Sequence, residues 1–405
     1  MKLLRASSWL LAALLSACAV RPPVEPPAPL PGPTPIPAPP PALIPTPAAV
    51  YPTLKPVAWD TLDSWQSDAT SESWSAFLHS CAALKKQSAW HAVCNDAEAM
   101  GQPDDLTART FFEQRFQLYQ ATQEDGSAEG TVTGYYEPLL KGDRVQTERA
   151  RYPLRAVPDD LITVNLASVY PELKNLRLRG RLVGNKLVPY ATRKEIEAAG
   201  SNGTPNGKAI AWAEDPVDVF FLQIQGSGRI ELPDGSHIRV GYADQNGYPY
   251  KSIGKLLVDR GELKLEQASM QGIKNWGERN PDKLPDLLAS NPSFVFFREL
   301  PNDLPGPLGA LGVPLTGSRS IALDPRFIPL GAPVFLATTQ PNSAQPLNRL
   351  VMAQDTGGAI RGGVRADFFW GFGQEAGELA GRMKQRGRMW VLLPKDYPLS
   401  LVRRD

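Results

Sequence analysis

The spacing of hydrophobic residues divides the chain into a helical start and a β-rich remainder. Over residues 59–86, Trp65, Trp74 and Phe77 recur at helical intervals, and residues 107–121 carry an aromatic face at the same period. Such a period is typical of amphipathic helices. The pattern therefore predicts that residues 59–124 are mainly helical and that their aromatic face packs in a core.

From Gly130 onward the period changes to that of strands and turns. The predicted strands are 131–138, 181–188, 217–222, a hairpin of 229–232 and 237–240 around Pro233-Asp234-Gly235, 293–298 and 389–393. The predicted helices are 250–257, 264–276, 282–288 and 374–386. Many short strands within about 85 residues at the C-terminal end suggest a small β-barrel. The β-rich middle, about 140–263, is flanked by helical segments and is predicted to be an insertion.

The first 18 residues have the pattern of a signal peptide. Lys2 and Arg5 precede a short apolar run that ends in Leu15-Ser16-Ala17-Cys18, which is too short to span a membrane. This run resembles the bacterial lipobox, which implies lipid attachment at Cys18. Ala19 follows instead of an inner-membrane-retaining Asp, so the resemblance implies an outer membrane lipoprotein facing the periplasm. The alternative is an ordinary signal peptide with an incidental cysteine.

Residues 19–57 are predicted to form a proline-rich tether. Nearly every second or third residue from Arg21 to Pro56 is proline. Such a composition favours extended polyproline II over a packed core. The sequence therefore predicts that the folded part begins near residue 58.

Composition narrows the class of function. The formal net charge is +1, whereas a nucleic-acid reader is expected to be clearly basic. Three histidines and no zinc or nucleophile-elbow motif give little support for a metal site or a serine triad. The glycines of residues 223–228 lack a dinucleotide fingerprint. We therefore expect no nucleic acid partner, no metal and no cofactor.

Two cysteines remain beyond Cys18. Cys81 and Cys94 are close in sequence, and in an exported protein such a pair suggests one local disulfide. Two free buried thiols are the alternative.

Three aspartates supply the candidate chemistry. Asp324 lies in an Asp-Pro-Arg turn, Asp355 precedes Thr-Gly-Gly, and Asp367 precedes Phe368-Phe369-Trp370. An aromatic shelf beside Asp367 would exclude water and raise its pKa, as a general acid requires. Asp324 and Asp355 also have purely structural interpretations, namely a turn for Asp324 and a turn cap for Asp355, and spacing alone does not separate catalysis from structure at Asp367.

The three-aspartate segment resembles the domain named for three aspartates. The segments 133–138, 221–228, 234–236, 247–254 and 291–297 resemble, in the same order, the middle region of the membrane-bound lytic murein transglycosylase A family. The resemblance runs from about residue 100 to the C-terminus. It implies a mainly β fold with helices, in which a double-psi β-barrel domain and a smaller inserted β-rich domain border a groove.

On this resemblance the domains have the following expected bounds. The barrel domain with its N-terminal helices comprises 58–139 and 264–405, with the three-aspartate segment at about 312–394, and the inserted domain comprises 140–263.

The resemblance also implies an activity and its residues. The family cleaves the β-1,4 bond between N-acetylmuramic acid and N-acetylglucosamine and leaves a 1,6-anhydro end. By position, Asp367 corresponds to the catalytic aspartate and Asp355 to a supporting one. The predicted substrate-binding residues are Gln225, Ser227, Glu137, Tyr136, Asp324 and Trp370.

The resemblance also implies binding partners for the protein. The expected partners are peptidoglycan glycan strands, the outer membrane through the lipid anchor, and proteins of cell-wall synthesis or division. Three alternatives remain open: a glycan-binding lipoprotein without turnover, a peptidoglycan hydrolase that uses Asp355 as a second carboxylate, and a scaffolding lipoprotein that depends on its tether.

Overall fold

The computed structural model describes residues 43–46, 49–170, 173, 176–199 and 207–400. This part of the chain is mostly β with several helices, which confirms the predicted fold class. The signal peptide, Cys18 and most of the predicted tether lie outside the described residues. No helix of the described part is both long and apolar enough to cross a membrane.

The helices of the described residues are short. They are α1 Trp74–Leu84, α2 Ser88–Met100, α3 Asp105–Arg115, α4 Arg193–Ala198, α5 Pro216–Gln225, α6 Ile253–Asp259, α7 Met270–Arg279, α8 Leu284–Ala289 and α9 Gly373–Arg382. Short 3₁₀ turns occupy Trp59–Thr61, Trp65–Ser67, Thr70–Ser73 and Leu265–Gln267.

The strands supply most of the architecture. They are β1 Ala49–Val50, β2 Leu54–Val57, β3 Phe116–Ala121, β4 Gly130–Glu137, β5 Leu139–Asp143, β6 Tyr152–Arg155, β7 Ile162–Thr163, β8 Arg179–Val183, β9 Lys186–Pro189, β10 Ala209–Ala213, β11 Ser227–Glu231, β12 His237–Gln245, β13 Val295–Leu300, β14 Ser320–Leu323, β15 Pro333–Thr339, β16 Pro346–Asp355, β17 Arg365–Phe372, β18 Lys384–Pro394 and β19 Leu399–Ser400.

One sheet closes on itself. Its order is β15-β16-β14-β17-β4-β18-β3-β2, and an additional pairing of β15 with β18 closes the first six strands into a ring. Strands β3 and β2 extend the sheet beyond β18. Two of its pairs, β14 with β16 and β17 with β4, are parallel. Closure pairs the backbone N–H and C=O groups that an open sheet would leave without hydrogen-bond partners at its edges. The double-psi arrangement of these strands stays a prediction.

The core of this barrel extends into the N-terminal helices. Trp74, Phe77, Phe111, Phe112 and Phe116 form a cluster of mostly edge-on or tilted rings that are at most 4% exposed. Beside them, Cys81 of α1 and Cys94 of α2 are joined by a disulfide. The aromatic residues therefore serve packing, as their helical period predicted.

A second sheet holds the middle of the chain. Its order is β13-β12-β11-β5-β10-β6, and β7, β8 and β9 form a small separate sheet. The chain passes from the barrel to this sheet where β4 ends and β5 begins. Because β13 pairs with β12, the second sheet extends to residue 300, beyond the predicted end of the insertion at 263.

Several predicted elements differ from the structure. Residues 181–188, predicted as one strand, form the hairpin of β8 and β9, which turns at residues 184–185. Residues 217–222, predicted as a strand, lie in helix α5, where Asp215 caps the first amides and Pro216 occupies the first position. This segment is apolar on more than one face, so its period did not reveal the helix. Residues 116–121, predicted as the end of a helix, form strand β3 because they pair with residues 390–394 of β18. Residues 384–386, also predicted as a helix end, begin β18 because they pair with β4.

The end of the predicted tether also differs. Strand β2 pairs with β3 at the edge of the barrel sheet, and Leu54 is only 2% exposed. Proline is tolerated in β2 because an edge strand leaves one row of amides unpaired.

Candidate active site

The predicted catalytic aspartates lie in one row across the barrel sheet. Ala322 of β14 is opposite Asp355 of β16 on one side and opposite Asp367 of β17 on the other. Asp367 is in turn opposite Thr133 of β4. Since neighbouring strands are about 4.8 Å apart, the Cα atoms of the two aspartates are about 10 Å apart.

Asp367 is half-buried and is held by a chain of two hydrogen bonds. The Thr133 hydroxyl donates to Asp367 Oδ1 at 2.5 Å, and Arg365 Nη2 donates to the Thr133 hydroxyl at 2.9 Å. Burial raises the pKa of Asp367 more than the Thr133 hydrogen bond and the Arg365 charge lower it. The site therefore favours a protonated carboxyl group at a higher pH than is usual for aspartate.

Asp355 is half-buried at the end of β16 and accepts three hydrogen bonds. The amides of Ala310 and Thr356 donate to its Oδ1 at 2.9 and 2.8 Å, and the Tyr135 hydroxyl donates to its Oδ2 at 3.0 Å. Burial and the nearby Asp367 charge raise the pKa of Asp355, while these three donors lower it. The net direction of the Asp355 pKa is upward, because burial has the largest effect, and the three donors hold the carboxyl group in place.

A small apolar cluster lies between the two aspartates. It consists of Tyr135, Leu315, Ala322 and Phe369, each at most 8% exposed. The rings of Tyr135 and Phe369 are 5.1 Å apart. This cluster is the water-excluding surface that the sequence predicted beside Asp367. Of the three aromatic residues Phe368, Phe369 and Trp370, only Phe369 belongs to it.

Trp370 lies on the opposite face of β17. Its ring packs on Phe368 at 4.9 Å, and its indole N–H donates to the Met383 sulfur at 3.2 Å. Alternation along a strand accounts for this, because residues 368 and 370 share the face that residues 367 and 369 do not. The structure does not bring Trp370 together with the aspartates.

Asp324 is also apart from the row. Its carboxylate is 1% exposed, pairs with Arg326 at 2.6 Å and accepts the Gly362 amide at 3.1 Å. Burial raises the pKa of Asp324, but the Arg326 and backbone hydrogen bonds outweigh it and the net direction is downward. These contacts hold a turn, which agrees with the structural interpretation of this residue.

Glu137 lies at the junction of the two sheets. It is 1% exposed and pairs with Arg229 of β11 at 3.0 Å and Arg239 of β12 at 3.4 Å. The Arg229 guanidinium stacks 3.8 Å from the ring centroid of Phe372, at the end of β17. Glu137 therefore links the second sheet to the strand that carries Asp367.

Gln225 and Tyr136 meet beside the site. Gln225 Oε1, at the end of α5, accepts the Tyr136 backbone amide at 3.2 Å. The Tyr136 hydroxyl is directed to Met270 of α7, on the face opposite to Tyr135. Ser227 is buried at the start of β11.

Three residues of the site were not singled out from the sequence, namely Thr133, Tyr135 and Arg365. The period-2 pattern of the predicted strand 131–138 places Thr133 and Tyr135 on one face. Their approach to Asp367 and Asp355 depends on pairing across more than 200 residues, which a local pattern does not contain. Among the described residues, no group of three or more His, Cys, Asp or Glu side chains is placed to hold a metal ion.

Comparison with known proteins identifies the family of this chain. The MltA specific insert domain matches residues 131–298, and the 3D domain matches residues 319–393. Membrane-bound lytic murein transglycosylase A of Escherichia coli K12 is 36% identical over 282 residues, which are 68% of each chain. The chain belongs to the family of membrane-bound lytic murein transglycosylase A.

Solved structures of the family share the fold. MltA from Neisseria gonorrhoeae, in its monoclinic form, is 44% identical with a TM-score of 0.74, covering 88% of this chain and 97% of that chain. E. coli MltA with bound chitohexaose is 31% identical with a TM-score of 0.56, covering 76% and 83%. The barrel and the second sheet thus belong to an architecture that recurs within the family.

Proposed function

We propose that this chain is a lytic murein transglycosylase in which Asp367 is the single acid–base catalyst. It cleaves the β-1,4 bond between N-acetylmuramic acid and N-acetylglucosamine in peptidoglycan and leaves a 1,6-anhydro end. Membership of the family and the names of its relatives support the reaction class. The observation that carries the assignment is the half-buried Asp367 carboxyl, whose pKa is raised by burial beside Asp355 and the Tyr135–Phe369 cluster.

In the first step, protonated Asp367 donates its proton to the glycosidic oxygen as the C1–O4 bond breaks. Positive charge develops at C1 of the muramic residue, and the new Asp367 carboxylate lies beside it. The Thr133 hydroxyl accepts from Arg365 and therefore directs its own proton to Asp367 Oδ1. This leaves Oδ2 as the atom that carries the transferable proton.

In the second step, the Asp367 carboxylate removes the proton from the C6 hydroxyl of the same muramic residue. The C6 oxygen attacks C1, closes the 1,6-anhydro ring, and Asp367 is protonated again. No water enters, so no second carboxylate is needed to activate one, unlike in ordinary glycosidases. Ring closure is intramolecular and is therefore favoured entropically.

Asp355 supports Asp367 in this proposal. Its three hydrogen bonds fix it in place, and the nearby Asp367 charge contributes to raising the pKa of Asp355. The substrate-binding residues proposed beside the row are Gln225, Ser227 and Tyr136, which lie where α5 and β11 approach β4.

Product analysis tests the proposal. Wild-type protein acting on murein should yield muropeptides that are one water lighter than hydrolysis products. Asp367→Asn should lower kcat by at least the ~10²- to 10⁴-fold typical of acid–base catalysis, while binding of chitohexaose measured by calorimetry is retained. An active Asp367→Asn protein contradicts the assignment. Reducing ends that depend on Asp355 would instead favour the hydrolase.

We also propose the location and domain organisation of the protein. Lipid attachment at Cys18 would hold it at the periplasmic face of the outer membrane, with partners among cell-wall synthesis or division proteins. The barrel domain comprises 54–139 and the C-terminal part, since β2 pairs with β3 of the barrel sheet, and the insertion begins at 140. The pairing of β13 with β12 supports an end near residue 300 instead of 263.

A further inference from the structure

Residues 307–316, between β13 and β14, form a wall beside the aspartate row. These residues contain no helix or strand. The Ala310 amide of the wall donates to Asp355 Oδ1 at 2.9 Å. Leu315 of the wall belongs to the apolar cluster between the two aspartates. The wall therefore holds Asp355 in place and also excludes water beside Asp367.

Gln354, directly before Asp355, is the extra residue of a β-bulge. In the pairing of β14 with β16, Ile321 is opposite Ala353 and Ala322 is opposite Asp355, so Gln354 has no residue opposite it. Bulges change the direction of a side chain and are frequent next to active sites. The Gln354 side chain is 0% exposed, and its contacts show what the bulge achieves.

The wall rests on the backbone of Gln354. The carbonyl oxygen of Gln354 accepts the Leu311 amide at 3.0 Å. A Cβ atom on Gly309 would lie 2.4 Å from the same oxygen, so only glycine allows the wall to approach this closely. The wall is therefore joined to two consecutive residues of β16, Gln354 and Asp355.

The Gln354 side chain connects the wall with helix α1. Its Nε2 donates to the Ala76 carbonyl oxygen at 2.7 Å and to the Ser80 hydroxyl at 3.1 Å. Its Oε1 accepts from the Ser320 hydroxyl at 2.6 Å. Ser320 Oγ accepts the Thr316 amide at 2.8 Å. A chain of hydrogen bonds therefore runs from α1 through Gln354 and Ser320 to the end of the wall.

This chain of hydrogen bonds has one direction. Because Ser320 Oγ accepts from a backbone amide, its own proton is directed to Gln354 Oε1, and the Gln354 NH₂ group then faces α1. Both side chains are 0% exposed, and a buried polar group that loses its partner is costly. The complete chain therefore favours a single position of the wall.

We propose that Gln354, together with Ser320, is a positioning residue of the transglycosylase reaction. It acts from the side of α1, by fixing the wall that holds Asp355 and that covers the apolar cluster beside Asp367. This inference rests on the proposed function, since it needs Asp367 as the acid. It adds residues that do not contact either aspartate with their side chains and that the sequence pattern did not indicate.

A displaced wall changes the pKa of Asp367 in a defined direction. Burial has the largest effect on this pKa and raises it, so water that enters the apolar cluster lowers it. Asp367 must be protonated to donate, and the alkaline limb of kcat/KM therefore moves to lower pH. The titratable groups that face Asp367, namely Arg365, Asp355 and Tyr135, are all retained when Gln354 or Ser320 is replaced.

Ser320→Ala tests the inference with a small change. It removes the hydroxyl that joins Thr316 to Gln354 and leaves both aspartates in the chain. We expect kcat on murein strands to fall by about 10- to 100-fold, since a misplacement of about 1 Å near the chemistry costs up to about 10²-fold, while KM stays close to that of wild type. The alkaline limb should move to lower pH. Amide hydrogen exchange of residues 307–316, followed by mass spectrometry, should become faster.

A stronger variant and a matched control accompany it. Gln354→Met removes the whole amide but keeps a side chain of similar length, and it should produce the same changes to a larger extent. Ser73→Ala is the control, because Ser73 is also 0% exposed and its hydroxyl donates one bond, to the Thr70 carbonyl oxygen at 2.7 Å. Its kcat, its pH profile and the exchange of the wall should equal those of wild type.

The outcomes distinguish this inference from the proposed function. If wild-type protein yields no anhydro products, the proposed function fails. If wild type yields them and Ser320→Ala keeps its kcat and its alkaline limb while only its urea midpoint falls, Gln354 and Ser320 serve stability alone and the inference is overturned. It is also overturned if kcat falls while the alkaline limb and the exchange of residues 307–316 coincide with those of wild type.

Discussion

At the scale of single residues, the chain from Arg365 through Thr133 to Asp367 determines when the acid is protonated. Burial pushes the pKa of Asp367 up, and the Thr133 hydroxyl, which donates to the carboxylate, pulls it down. The pKa of this carboxyl group is therefore set by two opposing effects. An acid that is too weak would donate poorly, so this balance sets the working pH range.

Replacing Thr133 with Val should shift the pH profile upward. Asp367 must be protonated to act, so kcat/KM falls as pH rises through its pKa. Thr133→Val removes a bond that stabilises the charged form and therefore raises this pKa further. A hydrogen bond to a charged group contributes about 1.5–3 kcal/mol, or about one to two pKa units, and we expect the alkaline limb of kcat/KM to move by about one unit.

The matched control is Thr131→Val on the same strand. The Thr131 carbonyl accepts from Arg365, and this contact survives the substitution. Its profile should coincide with that of wild type. A limb that stays in place or moves to lower pH in Thr133→Val would contradict the assignment of Thr133 as the donor that tunes Asp367.

At the scale of elements, strand pairing decides what the local pattern could and could not predict. Alternation in β4 and the turn residues of the β11–β12 hairpin were sufficient to place those strands. The apolar run 217–222 has no clear period, because α5 packs on both sides, and a short apolar run fits a strand and a buried helix equally. The aromatic period of α3 continues past Arg115, but pairing with β18 makes residues 116–121 a strand.

The same principle applies to the site. Asp355 and Asp367 could be predicted from the sequence because glycines and aromatic residues lie next to them in the chain. Arg365 and Tyr135 could not be predicted from the sequence, because they reach the aspartates only when β4 lies beside β17. The sequence pattern placed Trp370 with Asp367, although alternation within β17 separates them.

At the junction of the two sheets, Glu137 should stabilise the fold substantially. Glu137→Gln would leave the Arg239 guanidinium, whose side chain is 4% exposed, without its carboxylate partner. Breaking one partner of a buried pair costs about 3–5 kcal/mol. We expect a loss of this size in the free energy of unfolding, measured from urea midpoints at constant m value.

Glu299→Gln, in β13 of the second sheet, provides the comparison. Its pair with Arg144 has side chains that are 48% and 52% exposed, and exposed pairs contribute about 0–1 kcal/mol. Equal losses in the two variants would show that the Glu137 network is no more important for stability than a surface pair.

At the scale of the whole molecule, the described fold begins before the predicted end of the tether. Ile44 bridges to Gln87, β1 pairs with β19, and β2 pairs with β3. The proline-rich composition continues through this stretch, so composition alone places the boundary too late. What distinguishes residues 43–46 and 49–57 is that they pair with the barrel and with the helical part of the fold.

Two truncations locate this boundary and separate the enzyme from a tether-dependent scaffold. A chain beginning at Leu43 keeps these contacts, so its urea midpoint and its turnover of soluble murein strands should equal those of a chain beginning at Ala19. A chain beginning at Ala58 loses β2 and the burial of Leu54, which is 2% exposed, and should lose at least the ~2–5 kcal/mol of a large core deletion. If removal of residues 19–42 alone abolished turnover of soluble strands, catalysis would depend on the tether and the Asp367 proposal would lose its basis. If it abolished function only in cells, the role of the tether would be to let the enzyme reach the murein layer. An unrelated linker of similar length should then restore function in those cells, whereas the Asp367→Asn chain should not.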